Sequence, residues 1–216
     1  FGVTPARCYF AEEELGVPYD RIRLLPVGAD EDEANKVATS SKNKYSDDLR
    51  VVTGGKWIKG KGLEELIEGV KDTKNCLTIF GKTSDPYTRN LIDKSPKNVN
   101  FVGWQGRAST LQLLKDADIA IWPKYHTTLI EDAIAVKTPV VLRYNGNTSH
   151  FIRGNGAYLF TNLSKEIKQL FSLLSNSREL IEYMKTNTVK MLGILSYNRV
   201  AKESIEYYTS LEPKFI

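Results

Sequence analysis

From residue 49 to residue 142, short apolar, β-branched runs alternate with helical stretches of about ten residues, and few folds satisfy such an alternation. Residues 49–53, 76–80, 99–102, 117–122 and 139–142 read as strands, with residues 63–70, 87–92, 109–114 and 129–136 as the helices between them. A strand, a helix and a second parallel strand join with one handedness only. The alternation therefore predicts an α/β fold, a Rossmann-like parallel sheet with helices on both faces. Residues 157–160 would add a short strand, and residues 163–174, 178–184 and 197–208 are helical by spacing, the last with a broad apolar side that wants a partner surface. Before the alternation, residues 4–16 predict a helix capped by Thr4, with Pro5 in its first turn and Gly16 as its stop. Residues 21–27 predict a strand closed by Gly28, and residues 29–48, acidic and then rich in Lys, Ser and Asn, a linker or exposed loop.

Composition narrows the function classes. The chain has 216 residues and a formal net charge of +4, too small and too dispersed to argue for nucleic acid. An anionic small ligand or an anionic membrane surface satisfies it equally well. Cys8 and Cys76 are far apart and there are two His, so neither a disulfide framework nor a Cys/His metal site is expected; this fits a reducing compartment. No apolar run reaches a membrane span, and no signal peptide is visible. The first residue is Phe1 rather than Met, and the expectation is a piece of a longer protein.

Three segments have residues that suit chemistry. In residues 116–141 a helix begins just after a strand, where bare N–H groups and the positive end of a helix dipole attract an anion; Thr127 and Thr128 offer capping hydroxyls. Glu131 and Asp132 in its first turn are either good capping or acceptors for ribose hydroxyls. His126 precedes that helix and is either a site residue or a capping or surface His. The second segment is GGKWIKGKG, residues 54–62, placed after a strand, where glycines permit close approach and Lys56, Lys59 and Lys61 supply cations. It is either a phosphate-binding loop or a solvated basic turn. Its near match to a P-loop, from Gly55 to Lys61, fails at Gly62, where a magnesium-binding hydroxyl is required. The third, residues 145–156, is mostly turn and contains His150, a general acid, base or surface residue.

Together these segments resemble the carboxyl-terminal donor-binding domain of the glycosyltransferase group 1 family, the family 4 type of retaining GT-B enzymes. Gly55, Lys56, Lys61 and Gly62 fall on the family's G-R-x-x-x-x-K-G pattern, with Lys in place of Arg. Residues 99–103 match V-x-F-x-G, residues 118–123 the A-D-hydrophobic-P strand, and DAIAVKTPVV, residues 132–141, parallels E-A-M-A-x-G-x-P-V-V. The departures are Asp132 for the second Glu of E-x7-E, Lys124 where the first Glu would fall, Lys137 for a common Gly, and Ser149 for a Glu.

The resemblance implies one half of a GT-B fold. Residues 1–48 would be the end of an amino-terminal domain and a linker, residues 49–195 the donor domain, and residues 196–216 a helix crossing back onto a missing amino-terminal domain. It implies retaining transfer from a UDP-sugar or GDP-sugar to a glycan, lipid-linked or protein acceptor, with no metal. Lys56 and Lys61 would stabilise the leaving diphosphate, aided by Gly55, Gly62, His126 and the backbone of Thr127, Thr128 and Leu129. Asp132 or Glu131 would hold the ribose, and Gly103, Trp104 and Gln105 would lie against the base. The expected location is cytoplasmic, with possible peripheral contact at the membrane face, and the isolated piece is expected to be inactive. The rivals are a nucleotide-sugar epimerase of the same architecture and a non-catalytic nucleotide-binding or signalling module. Signalling modules of that shape need acids at the end of the first strand, where residues 51–56 have none, and no G-x-G-x-x-G follows a strand to support a dehydrogenase.

Overall fold

The computed structural model describes residues 1–37 and 48–210. Helix α1 (Pro5–Glu13) begins as expected, with the Thr4 hydroxyl accepting from the Arg7 N–H. The strand expected over residues 21–27 does not form. Tyr19–Arg21 makes a single 3₁₀ turn, and the extended chain after it bridges only Gly2. Since the chain turns into α1 three residues later, no second strand lies alongside to extend that bridge. The linker region opens with a short helix, α2 (Glu31–Asn35), capped by the Asp30 carboxylate; residues 38–47 of the expected linker lie outside the described residues.

The alternation then runs as β1 (Arg50–Trp57), α3 (Leu63–Val70), β2 (Cys76–Thr83), α4 (Pro86–Asp93), β3 (Val99–Gly103), α5 (Arg107–Asp116), β4 (Ile119–Trp122), α6 (Leu129–Ala135), β5 (Val140–Arg143) and β6 (Gly156–Leu159). It closes with α7 (Leu163–Ser175), α8 (Arg178–Leu195) and α9 (Tyr197–Ser210). Among the described residues the six strands form one parallel sheet in the order β3-β2-β1-β4-β5-β6. Side chains alternate across a strand. Val51, Ile119, Ile121 and Val141 therefore pack on one face with Leu66, Ile67, Ile167 and Phe171 of α3 and α7. Val52, Ala120, Val140 and Leu142 pack on the other with Leu114, Ile130, Ile134 and Leu192 of α5, α6 and α8. Covering on both faces explains why β4, and β5 as far as Leu142, are apolar rather than alternating.

Helix α8 runs to Leu195, well past the expected 178–184. The polar run Thr186, Asn187, Thr188 concealed the continuation. Each of these side chains bonds back to a carbonyl four residues earlier, Thr188 to Met184 at 2.9 Å and Asn187 to Tyr183 at 3.1 Å, so buried polar groups are satisfied within the helix. Strand β1 is also longer than expected. It continues through Gly54, Gly55 and Lys56 to Trp57, in register with β2 as far as Lys56↔Lys82 and Trp57↔Thr83. The expected glycine turn is therefore half strand, which leaves no P-loop arch. Gly55 and Gly81 allow the two strands to meet here: a Cβ on Gly81 would lie 1.9 Å from the Gly55 carbonyl oxygen, and both residues have positive φ, 114° and 149°.

At the order reversal, β1 and β4 are paired only at Val51↔Ile119 and Val52↔Ala120. Below that ladder, Asp118 takes the Arg50 backbone N–H and a bidentate fork from the Arg50 guanidinium at 2.8 and 3.1 Å, with Arg178 of α8 at 3.5 Å. Above it, side chains replace the ladder: Thr53 Oγ1 donates to the Ile121 carbonyl at 2.6 Å and Trp122 Nε1 to the Gly54 carbonyl at 2.9 Å.

Burial works to raise the Asp118 carboxyl, but the hydrogen bonds and charge of Arg50, with Arg178, outweigh it and hold the group below the usual range. Because Arg50 is half-exposed, Asp118→Asn should cost about 2–3 kcal/mol in urea unfolding at pH 7. A carboxylate depressed in the fold stabilises above its unfolded value of about 3.9, so the gap between the two proteins should close as pH falls below that value. An unchanged midpoint would show that the Arg50–Asp118 fork contributes nothing. A second test concerns α6, which ends in a Schellman motif: Thr138 N–H bonds Ala133, Lys137 N–H bonds Ile134, and Lys137 sits at φ 67°, the left-handed position Gly prefers. Lys137→Gly should raise stability by up to about 1 kcal/mol in the same assay.

Candidate functional site

The crevice opens where β1 and β4 separate, at the carboxyl ends of the strands, which is where ligands enter open parallel sheets. Two adjoining hollows share Gly55 and Lys56. The first, of about 240 Å³, is walled by Gly54, Trp57 and Lys61 on the β1 side and by Trp122, Pro123, Tyr125, His126 and Thr127 on the β4 side. The second, of about 390 Å³, lies over β2, between Phe80, Gly81 and Lys82 and the segment Trp104, Gln105, with Thr110 and Leu129 behind.

The two walls of the first hollow thus face each other. Lys56 comes from the end of β1 and Lys61 from the turn before α3, and among the described residues neither is ion-paired to a carboxylate. Lys61 Nζ stands 5.3 Å from the Tyr125 ring centroid. Lys56 and Lys82 are directly opposite on neighbouring strands. Three ammonium groups, of Lys56, Lys61 and Lys82, thus line one opening, which suits a multiply charged anion. The indole N–H groups of Trp57 and Trp122 are both committed to backbone carbonyls, of Phe80 and Gly54, so these rings are wall rather than donors.

The two threonine hydroxyls do not cap α6 as expected. Thr128 is the cap residue without a side-chain hydrogen bond, and the Thr127 hydroxyl reaches Leu129 N–H only at 3.5 Å. The turn is held instead by Ile130 N–H on the Thr127 carbonyl at 3.1 Å, which leaves the start of the helix without a strong side-chain acceptor. Thr127 borders the first hollow and Leu129 the second, whereas Thr128 borders neither.

Gly62 and Gly103 lie outside both hollows. Gly62 is the left-handed entry to α3, where a Cβ would lie 2.5 Å from Pro123 Cγ, and Gly103 ends β3 at φ 69°. Their role here is to bend the chain. Trp104 is exposed at the second hollow, and Gln105 donates to the Val102 carbonyl at 2.7 Å. Lys124, at the position of the first Glu of the family motif, is bound to Glu65 of α3 at 2.6 Å.

The two acids of α6 point different ways, as adjacent residues on a helix must. Asp132 borders neither hollow and is paired with Arg107, at the start of α5, at 2.5 Å; a ribose hydroxyl reaching it must displace that guanidinium. Glu131 is 2% exposed and faces His126, with its Oε1 3.7 Å from the imidazole Nε2. Burial pushes the Glu131 carboxyl above the usual range, against the pull of His126. Behind them Phe151 is fully buried between two imidazoles, its ring 5.6 Å from His126 and 4.0 Å from His150. Tyr125, Lys82, Trp57 and Trp122 were not singled out from the sequence. Only Lys82 had a visible signal, since FGKT at the end of β2 repeats the Gly-Lys of GGKW at the end of β1.

His150 is not available as an acid at neutral pH. Burial, and then the nearby His126, hold its imidazole at about 4. Its folded value lies below the unfolded one of about 6.5. The unfolded chain binds the extra proton between those values, so stability from keeping the ring neutral is complete above pH 6.5 and is lost as pH falls toward 4. The melting temperature of the wild type should therefore fall more steeply between pH 7 and pH 5 than that of His150→Leu. Parallel curves would mean that the ring charges freely in the fold.

No protein-family model matches the chain, and no curated protein does. Solved structures do. Anabaena HepE in complex with UDP aligns with a TM-score of 0.78 at 17% identity, over 97% of this chain and 63% of that one. A glycosyltransferase from Rickettsia africae gives 0.74 at 16% identity, over 99% and 63%. WaaG, a glycosyltransferase involved in lipopolysaccharide biosynthesis, gives 0.74 at 16% identity, over 97% and 62%. The chain thus spans less than two thirds of each neighbour's length, and at these identities the likeness is one of fold. What it shows is that the six-stranded parallel sheet and its flanking helices make the Rossmann-like α/β unit that forms one half of these GT-B structures.

Proposed function

We propose that this chain is the donor-binding part of a glycosyltransferase that uses a nucleoside diphosphate sugar. The observation that carries the reading is the convergence of Lys56, Lys61, His126 and Thr127 on one hollow where the strand order reverses. Its fold neighbours include HepE structures with UDP and with UDP-glucose, which favours a uridine nucleotide. As the bond between the sugar and the diphosphate breaks, negative charge grows on the leaving phosphate. Preorganised ammonium and N–H donors lower the energy of that charge more than that of the ground state, which is the condition for rate acceleration. In this reading Lys56 and Lys61 are the principal donors, Lys82 adds charge at the second hollow, and the lysines rather than a metal balance the phosphates.

The base would lie in the second hollow against Trp104, and the ribose between the hollows. Asp132 serves the ribose only after Arg107 lets go; their pair is half in solvent on the arginine side, so its loss is a small cost. We further propose retained configuration at the transferred carbon, an acceptor that is a glycan, a lipid-linked glycan or a protein, an acceptor-binding second domain, and a cytoplasmic location with peripheral contact at the membrane face. The neighbours' greater length supports the second domain.

Calorimetric titration of UDP, GDP and ADP in the presence of EDTA tests the reading on this chain alone. UDP is expected to bind most tightly, and Lys56→Ala or Lys61→Ala to weaken it at least about tenfold each, since a hydrogen bond to a charged group contributes about 1.5–3 kcal/mol. Equal affinity in Lys61→Ala would remove Lys61 from the site, and absence of binding by all three nucleotides would overturn the reading. With the acceptor half present, transfer of sugar rather than its isomerisation separates a transferase from an epimerase.

A further inference from the structure

We propose that Glu131 is a positioning residue for His126, so that an anion bound in the first hollow is met by a protonated imidazole and its binding is coupled to a proton held between the two side chains. The proposal rests on the nucleotide-sugar reading for the identity of the ligand, but not for the presence of an anion.

Three buried atoms carry it. Both carboxylate oxygens of Glu131 and the Nε2 of His126 have no hydrogen-bond partner among the described residues, although they face each other. Their separation of 3.7 Å is too long for a hydrogen bond, yet a movement of about 0.8 Å would make one. Buried polar atoms are rarely left unpaired, so this facing pair calls for an explanation. His126 itself borders the hollow with Lys56 and Lys61. Glu131, 2% exposed, is shielded from the ligand and can act only through the imidazole.

The surrounding charges set the sense of the coupling. On the hollow side stand Lys56 and Lys61. Tyr125, on the same wall, stands under Lys61. Across Phe151, His150 is held neutral near pH 7 and adds no charge. On the helix, Asp132 next to Glu131 has its charge matched by Arg107. A diphosphate entering between the lysines cancels their field and favours imidazolium. His126 then donates from Nε2 to Glu131. The proton comes from solvent, so that binding carries a net uptake. Only N–H and O–H bonds change.

The test is calorimetric titration of UDP into the whole chain at pH 8, in two buffers of different ionisation enthalpy. At that pH the terminal phosphate, with a second pKa near 6, is already ionised and takes up no proton itself. The wild type is expected to take up a sizeable fraction of a proton per UDP bound. Glu131→Gln and His126→Gln should bind UDP about three- to tenfold more weakly with no uptake, and their affinity should vary less than that of the wild type between pH 6.5 and 8.5. Circular dichroism melts establish that the variants fold. Should they not, nitrogen NMR of the wild-type imidazoles gives the same answer: sulfate, which does not titrate, should move His126 toward the protonated form and leave His150 unchanged. A binding enthalpy independent of buffer in the wild type, uptake retained by Glu131→Gln, or an unmoved His126 signal overturns the proposal. UDP binding without proton uptake refutes it while sparing the nucleotide-sugar reading. Sulfate-induced protonation without nucleotide binding does the reverse.

Discussion

The seam between β1 and β4 is the contact on which the rest of the molecule depends. Its ladder is two residue pairs long, so most of the attachment comes from side chains: the Arg50–Asp118 fork at one end, and Thr53 and Trp122 reaching across to carbonyls at the other. The strands are therefore fastened at the bottom and held slightly apart at the top. That geometry produces the opening. Had the ladder continued to Trp57, the two walls of the first hollow would be joined.

Around the opening, Glu131 and His126 leave polar atoms unpaired, and α6 begins without a cap hydrogen bond from Thr128. Elsewhere the polar groups are handled economically, as in α8, where buried Thr and Asn bond back to their own helix.

Much of the scaffold was legible in the sequence because hydrophobic period and helix length are local. Thr4 before Pro5, and the separation of residues 63–70 from 76–80, needed no knowledge of the neighbours. Features set by contacts distant in sequence were not legible. Residues 21–27 have a strand's pattern but only Gly2 to pair with, and Gly54 and Gly55 look like a turn until β2 is placed beside them. The site divided in the same way. Lys56, Lys61 and His126 line one hollow. The orientation of Glu131 and Asp132 depended on Arg107 and on the ring stack around Phe151, neither of which is near them in the sequence.

The distribution of tryptophan has a practical side. The chain has three, Trp57, Trp104 and Trp122, and all three border the crevice, two as its walls and one exposed at its edge. Indole emission from this protein therefore originates at the opening, with no background from indoles elsewhere, and the unaltered polypeptide is its own optical sensor of whatever enters.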